Sequence, residues 1–193
     1  MTEEEQIEYV QRDWANIKNI ENQSEAAQIA AVTNSGHAIE YIKNPSEAVQ
    51  LAAVKQNGYS IQFIKNPSEV VQLAAITQNG FAIKHIRNTS EEVQLASVTY
   101  NGYTIQYIKN PSEKVQLAAV TQYGWAIKWI DYPSEELKLA AVQQDGWVIE
   151  NMKNPSVALQ LAAVTQNGWV IVAINNPSDS VKMMAELCKV HSS

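Results

Sequence analysis

Residues 44–65 read NPSEAVQLAAVKQNGYSIQFIK, and close variants of this 22-residue stretch follow one another along most of the chain. Full copies begin at residues 22, 44, 66, 88, 110, 132 and 154, and a partial copy begins at residue 176. All six prolines fall at position 2 of a copy, and all seven glycines fall at position 15. Proline and glycine are the residues that most strongly interrupt regular secondary structure. Because they occur only at these two positions of the copy, the chain is a tandem repeat of fixed period.

Within one copy, the pattern predicts a long helix followed by a short one. Asn44 is a suitable N-cap, Pro45 fits the first helical position, and Glu47 follows the cap by three residues as in a capping box. The long helix then spans about twelve residues, and Gly58 is expected to end it in the left-handed conformation. A second segment of about six residues, an α-turn or a 3₁₀ helix, precedes the next copy.

Neither helix can bury its apolar side chains within a single copy, so successive copies must stack. The sequence therefore predicts an all-α fold, an α-solenoid of tandem 22-residue repeats whose handedness is left open. We expect residues 1–21 to form an N-terminal capping unit, in which Trp14 corresponds to Trp125 with one extra residue. Residues 22–175 form seven repeats and residues 176–193 a C-terminal capping helix, where Glu186 replaces a core valine, all in one continuous domain.

The consensus N-P-S-E-x-V-Q-L-A-A-V-x-Q-N-G-aromatic-x-I-x-x-I-K resembles two repeat families. One is the leucine-rich repeat variant, which opens with Asp-Pro-x-x-x-Val and pairs a long helix with a 3₁₀ segment. Here Gln50 and its equivalents stand where arginine is usual in that family. The other is an uncharacterised family that reads Ala-Val-x-x-Asn/Asp-Gly and occurs in bacteria and large DNA viruses. The resemblance implies an α-solenoid and leaves the activity open.

Composition limits the classes of site and location. The chain has 193 residues, 46% of them hydrophobic, a formal net charge of −6 and a single cysteine, Cys188, which excludes a disulfide framework and thiolate-cluster metal sites. His37 and His85 lie far apart along the repeats, and no metal-ligand spacing occurs, so we expect no metal and no cofactor. No apolar run is long enough to span a bilayer, and the acidic start predicts a cytoplasmic protein without membrane contact.

Four further rows of side chains recur at the repeat period. The aromatic row at position 16 is expected to pack between repeats, and the glutamine row at position 7 to bond between them. Position 20 carries a second aromatic row, which either packs or forms an exposed binding stripe. Position 22 carries a basic row, which either pairs locally, as Lys43 with Glu47, or forms a track for phosphates. The candidate binding residues are Tyr41, Phe63, His85, Tyr107 and Trp129 at position 20, with Lys43, Lys65, Arg87 and Lys109 at position 22.

These rows favour a non-enzymatic protein that binds another protein, with contacts from position 20 and from the exposed positions 5 and 12. One alternative is an inhibitor of a host enzyme made by a virus or phage. Another is single-stranded nucleic-acid binding along the basic and aromatic rows, which the net charge of −6 disfavours. An enzyme is not expected, because the rows supply mostly amides and aromatic rings.

Overall fold

The structure is a computed structural model that describes residues 1–190, and helices alternate with short 3₁₀ helices throughout that range. The α-helices are α1 (Glu3–Arg12), α2 (Glu25–Asn34), α3 (Glu47–Gln56), α4 (Glu69–Gln78), α5 (Glu91–Tyr100), α6 (Glu113–Gln122), α7 (Glu135–Gln144), α8 (Val157–Gln166) and α9 (Asp179–Val190). The 3₁₀ helices are η1 (Trp14–Asn19), η2 (Gly36–Tyr41), η3 (Gly58–Phe63), η4 (Gly80–His85), η5 (Gly102–Tyr107), η6 (Gly124–Trp129), η7 (Gly146–Asn151) and η8 (Gly168–Ala173).

The chain divides into two compact bodies, Met1–Tyr100 and the part from Asn101 onward. Within each body, every α-helix packs on its neighbours in chain order and on the 3₁₀ helices before and after it. This arrangement confirms the predicted all-α solenoid of repeats. No helix among residues 1–190 is both long enough and apolar enough to cross a membrane. Residues 191–193 of the predicted C-terminal cap, His191 among them, lie outside the described residues.

The predicted start of the long helix is wrong by two residues. Ser46, rather than Asn44, is the N-cap, and its hydroxyl accepts a hydrogen bond from the Val49 amide at 3.4 Å. Glu47 is therefore the first helical residue, and the helix has ten residues instead of about twelve. Pro45 lies just before the cap. Asn and Ser are equally good N-caps, so the sequence pattern alone does not separate the two positions.

The left-handed residue of each repeat is also not the one predicted. Asn44 has φ of 52°, and the equivalent residues of six later repeats have φ between 49° and 55°, whereas no glycine has a positive φ. The chain thus reverses at the asparagine, a residue type that tolerates this conformation. Gly58 is required for a different reason. A Cβ atom on it would lie 2.5 Å from the carbonyl oxygen of Ala75, on the next long helix.

The core of each repeat consists of small and branched apolar side chains from both helices. In the repeat from Asn44, Val49, Ala53 and Val54 of α3 are fully buried, and Ile61 of η3 is 1% exposed. Equivalent residues are buried in the other full repeats, except that Ile171 is only partly buried, so the repeats within each body present similar contact surfaces to their neighbours. In α9, Glu186 takes the place of Val54 and is exposed.

Two rows of glutamine side chains form hydrogen bonds with backbone groups, and only one of these rows joins different repeats. The predicted row at position 7 bonds within its own repeat, where the Gln50 side chain donates to the Pro45 carbonyl oxygen at 2.9 Å. The bonds between repeats come instead from position 13. Gln78 Oε1 accepts from the Gly58 amide at 2.6 Å, and Gly36, Gly102, Gly124 and Gly146 make equivalent bonds. Position 13 therefore supplies an acceptor for a buried N–H that helix geometry leaves unpaired.

The N-terminal unit keeps the repeat period without the extra residue predicted. Helix α1 begins 22 residues before α2, and η1 begins 22 residues before η2, so Trp14 occupies the position held by glycine elsewhere. Its ring nevertheless contacts Tyr41 of the following repeat, with ring centroids 6.4 Å apart. Trp14 thus contacts position 20, as the aromatic residues of position 16 do in other repeats, although it comes one residue earlier in the chain.

Candidate functional site: grooves beside the connectors

Both bodies carry open grooves at equivalent places, where the end of a short helix and the connector that follows it face the same elements of the next repeat. In the N-terminal body, one groove of about 520 Å³ is lined by Tyr41 and Lys43, together with residues 18, 20–24 and 28. The next groove, of about 550 Å³, is lined by Phe63, Lys65 and Arg87, among others. Residues of the predicted rows at positions 20 and 22 therefore lie together in these grooves.

The connectors that border the grooves have a fixed shape. The left-handed asparagine reverses the chain, and proline follows with its restricted φ. The carbonyl oxygen of that proline accepts the glutamine side chain of position 7, as at Pro67 and Gln72 with 3.0 Å between the atoms. The serine cap then starts the next helix. A rigid connector holds the groove walls in place without a ligand, and such preorganisation reduces the entropic cost of binding.

The aromatic residues of position 20 are partly packed and partly exposed. Three of them pair edge-on with the position 16 ring of the preceding repeat, whereas Tyr41 meets Trp14 in a tilted arrangement. Centroid distances are 5.9 Å for His37 with Phe63, 5.8 Å for Tyr59 with His85 and 4.5 Å for Tyr103 with Trp129. Trp129 nevertheless remains 36% exposed. The predicted packing of position 16 between repeats is thus seen at His37, Tyr59 and Tyr103, and the position 20 rings are both packed and partly exposed.

Tyr41 and Tyr107 keep similar accessible edges, at 40% and 41% exposure. On the same short helices, Ile39 and Ile105 are buried, at 2% and 1% exposure. The short helix therefore holds the position 20 ring at the surface by burying its opposite side. A ring held in this way keeps little rotamer freedom to lose on binding.

The basic row at position 22 is solvent-exposed in both bodies. Lys43, Lys65, Arg87, Lys109 and Lys153 are all exposed, and Asp131 interrupts the row. The predicted local pairing with Glu47 is wrong, because that carboxylate accepts a hydrogen bond from Ser68 of the next repeat. Equivalent Ser–Glu bonds link Ser46 to Glu25 and Ser90 to Glu69. These carboxylates therefore connect repeats, and Lys65 and Arg87 give their groove a positive charge.

His85 has a pKa below the ordinary value for histidine. Partial burial disfavours the imidazolium, and the neighbouring Lys84 ammonium adds a smaller repulsion. The same lysine lies over the Tyr59 ring at 4.9 Å from its centroid. His85 lines the groove with Lys65 and Arg87, and its neutral form adds a polar aromatic side chain there without adding charge.

Positions 5 and 12, predicted as further contact residues, lie apart from the grooves. Lys55 and Thr77 at position 12 and Ala48 and Val70 at position 5 are exposed on the long helices, and no residue of either position lines the two grooves of the N-terminal body. Conversely, the connector residues at positions 1 and 2 line them and were missed, because they were assigned to helix capping. The serine at position 3 is a second possible N-cap. It was the sequence signal that positions 1 and 2 need not cap the helix and could instead line a groove.

Chemically, the grooves offer cations, amide groups and partly packed aromatic rings. Among residues 1–190 there is no cluster of three or more histidine, cysteine, aspartate or glutamate side chains arranged to hold a metal ion. Comparison with protein-family models, with curated proteins and with solved structures gives no match for this chain. The two repeat families named from the sequence therefore stay resemblances, and the function rests on the geometry of the grooves.

Proposed function

We propose that this chain is a non-enzymatic protein-binding scaffold and that its partner contacts the connector grooves. The observation that carries the proposal is the combination of constant and variable positions in the repeats. The core valines, the glycine and the connector proline recur at fixed positions, whereas position 20 varies among tyrosine, phenylalanine, histidine, tryptophan, asparagine and alanine. A constant framework with variable residues beside a preformed groove is how repeat proteins present a binding surface.

The charge of the grooves supports an acidic protein surface as the partner. Lys65 and Arg87 line one groove together with Phe63, and none of the residues lining that groove is acidic. Exposed aromatic and arginine side chains are the types that dominate protein–protein contacts. The Lys and Arg residues would also speed association with a negatively charged partner.

Single-stranded nucleic acid remains the second candidate, because the same groove combines cations with aromatic rings. Two observations weigh against it. The rings of position 20 already pack edge-on against position 16, as Phe63 does against His37, which limits the ring surface available to a stacked base. The formal net charge of −6 also opposes a polyanion.

The test is affinity capture from native lysate with and without nuclease, using two variants of equal charge. The groove variant carries Lys65→Ala and Arg87→Ala. The control carries Lys55→Ala and Arg12→Ala, two exposed positions that line no described groove. The proposal predicts a protein that the parent and the control retain after nuclease treatment and that the groove variant loses. Equal retention by both variants would contradict it. Loss on nuclease treatment, with affinity that falls steeply with salt, would establish the nucleic-acid alternative.

A further inference from the structure

Four departures from the repeat consensus in the C-terminal body lie at one groove. Position 1 is Tyr132 instead of asparagine, position 7 is Lys138 instead of glutamine, position 20 is Asn151 instead of an aromatic ring, and position 21 is Met152 instead of isoleucine. All four residues line a single groove of about 580 Å³. The coincidence of four changed positions in one place points to a surface adapted to a particular ligand.

Tyr132 is the most informative of these changes. It adopts the left-handed conformation, with φ of 52°, and it is 100% exposed. Asparagine holds this position with a φ of 49–55° in six other repeats and tolerates that conformation, whereas the left-handed region is energetically unfavourable for a tyrosine. Full exposure means that packing within the chain does not offset this strain. A strained, fully exposed aromatic ring beside a groove is typical of a binding residue.

The changes at positions 7 and 20 alter both the shape and the charge of the groove. In neighbouring repeats, the position 7 glutamine bonds to the connector, as Gln116 and Gln160 do to proline carbonyl oxygens at 2.9 and 3.0 Å. Lys138 instead binds the Glu135 carboxylate at 2.7 Å. At position 20, Asn151 replaces a ring with a small amide.

The groove floor is apolar and its rim is positive. Ile127, Ile130 and Leu159 supply buried side chains to the lining, and Met152 adds a flexible one. Lysines 128, 138 and 153 line the groove against one acidic residue, Glu135, which Lys138 already neutralises.

Each of the three lysines has a distinct setting. Lys128 lies over the Trp125 ring at 4.3 Å from its centroid, and Lys153 is exposed at the rim. Asp131 precedes Tyr132 in the chain and is exposed, but it does not line the groove. The lining charge is therefore positive in a protein whose net charge is −6.

We propose that this groove binds an extended peptide segment of a partner protein that carries an aspartate or glutamate next to a large hydrophobic residue. The hydrophobic side chain enters the apolar floor in the space left by Asn151. The carboxylate interacts with Lys153 at the rim, and the Tyr132 ring covers the peptide from the other side. This inference rests on the proposed protein-binding function and names the partner chemistry for one site.

The experiment selects a random 12-residue peptide library displayed on phage against the full chain. The variants are Tyr132→Asn, which restores the repeat residue, and Lys153→Gln, and the control is Lys182→Gln, an exposed lysine of α9 that is paired with Asp179 and lines no described groove. We expect enriched sequences that combine Asp or Glu with an adjacent Leu, Ile, Phe or Trp. Their affinity should fall about tenfold in each groove variant and stay unchanged in the control.

Amide NMR spectra of the parent with a selected peptide should shift at Tyr132 and Lys153. The proposal is overturned if no sequence is enriched, if the enriched sequences lack a carboxylate, or if both groove variants bind them as the parent does. It is separable from the proposed function. If the lysate partner is lost from the Lys65→Ala/Arg87→Ala variant but kept by Tyr132→Asn and Lys153→Gln, the scaffold function stands and this site is wrong.

Discussion

Replacing Gly58 with alanine tests whether close packing between repeats explains the glycine row. The backbone of Gly58 has a negative φ, so alanine is conformationally allowed there, and a stabilisation of about 0.4–1 kcal/mol from reduced unfolded-state entropy would ordinarily follow. The added Cβ, however, would lie 2.5 Å from the Ala75 carbonyl oxygen and 2.8 Å from Gln78 Oε1. Both atoms belong to α4, so that helix must move to accommodate the new methyl group.

The net cost follows from three contributions. Overpacking of a close contact costs about 1–3 kcal/mol. Displacing α4 also weakens the 2.6 Å bond from the Gly58 amide to Gln78, which contributes on the order of 1 kcal/mol. After the entropic gain is subtracted, we expect Gly58→Ala to lower the free energy of unfolding by roughly 1–3.5 kcal/mol.

Replacing Gly58 with asparagine distinguishes the two explanations for a glycine at this position, a left-handed backbone and close packing. If Gly58 were a left-handed helix terminator, Gly58→Asn would be tolerated better than Gly58→Ala, because asparagine accepts a positive φ. If close packing is the reason, the larger side chain is worse, and stability falls in the order Gly, Ala, Asn. Asn66 is the matched control, since its φ is 52°. There Asn66→Gly should be nearly neutral, whereas Asn66→Ala should cost about 1 kcal/mol.

The assay is equilibrium unfolding in urea, followed by far-UV circular dichroism. Hydrogen exchange of the amides of η3 and α4 should be monitored in parallel, because repeat arrays can unfold in parts. The predicted result is faster exchange confined first to these two elements. A neutral or stabilising Gly58→Ala substitution, or an asparagine variant more stable than the alanine variant, would refute the packing explanation.

Three other substitutions test separate features of the structure. Tyr132→Asn should raise the free energy of unfolding by about 1 kcal/mol through relief of left-handed strain, and an unchanged urea midpoint would count against it. Gln144→Ala removes the acceptor of the buried Gly124 amide, at 2.7 Å, and should cost about 1–3 kcal/mol, whereas alanine at the neighbouring exposed Gln143 should change the midpoint little. Because the pKa of His85 is lowered in the folded state, its contribution to stability is complete above the ordinary histidine pKa of 6.5 and is lost as pH falls towards the lowered value. His85→Phe should therefore reduce the loss of stability between pH 7 and about pH 5, and an identical pH profile in both proteins would contradict this.

The fold could be predicted from the sequence because the repeat period is marked by proline and glycine, which strongly restrict or relax the backbone conformation. Prolines at position 2 and glycines at position 15 indicated the boundaries of each repeat. The apolar positions between them predicted a helix that is buried on several sides. The details that failed depend on contacts in three dimensions. Whether Gly58 serves a positive φ or a close approach is decided by the distance to Ala75, which no local pattern contains.

The candidate site was predictable only in part, for a related reason. Positions 20 and 22 are two residues apart on one short segment, so their proximity at Phe63 and Lys65 could be expected. That the connector asparagines also line the grooves depends on how consecutive repeats stack. The changes at Tyr132 and Lys138 were visible in the sequence, but their meeting in one groove became apparent only when the repeats were placed side by side.

The central claim, that a protein partner binds beside the connectors, is tested most directly by photo-crosslinking in native lysate after nuclease treatment. A benzophenone amino acid replaces Phe63 or Tyr132 at the grooves, and Lys55 or Thr165 at exposed positions on the long helices of the same bodies. We expect the groove positions to crosslink to a protein that the helix positions do not capture. Equal crosslinking from Lys55 and Thr165, or no protein product from Phe63 and Tyr132, would contradict the account.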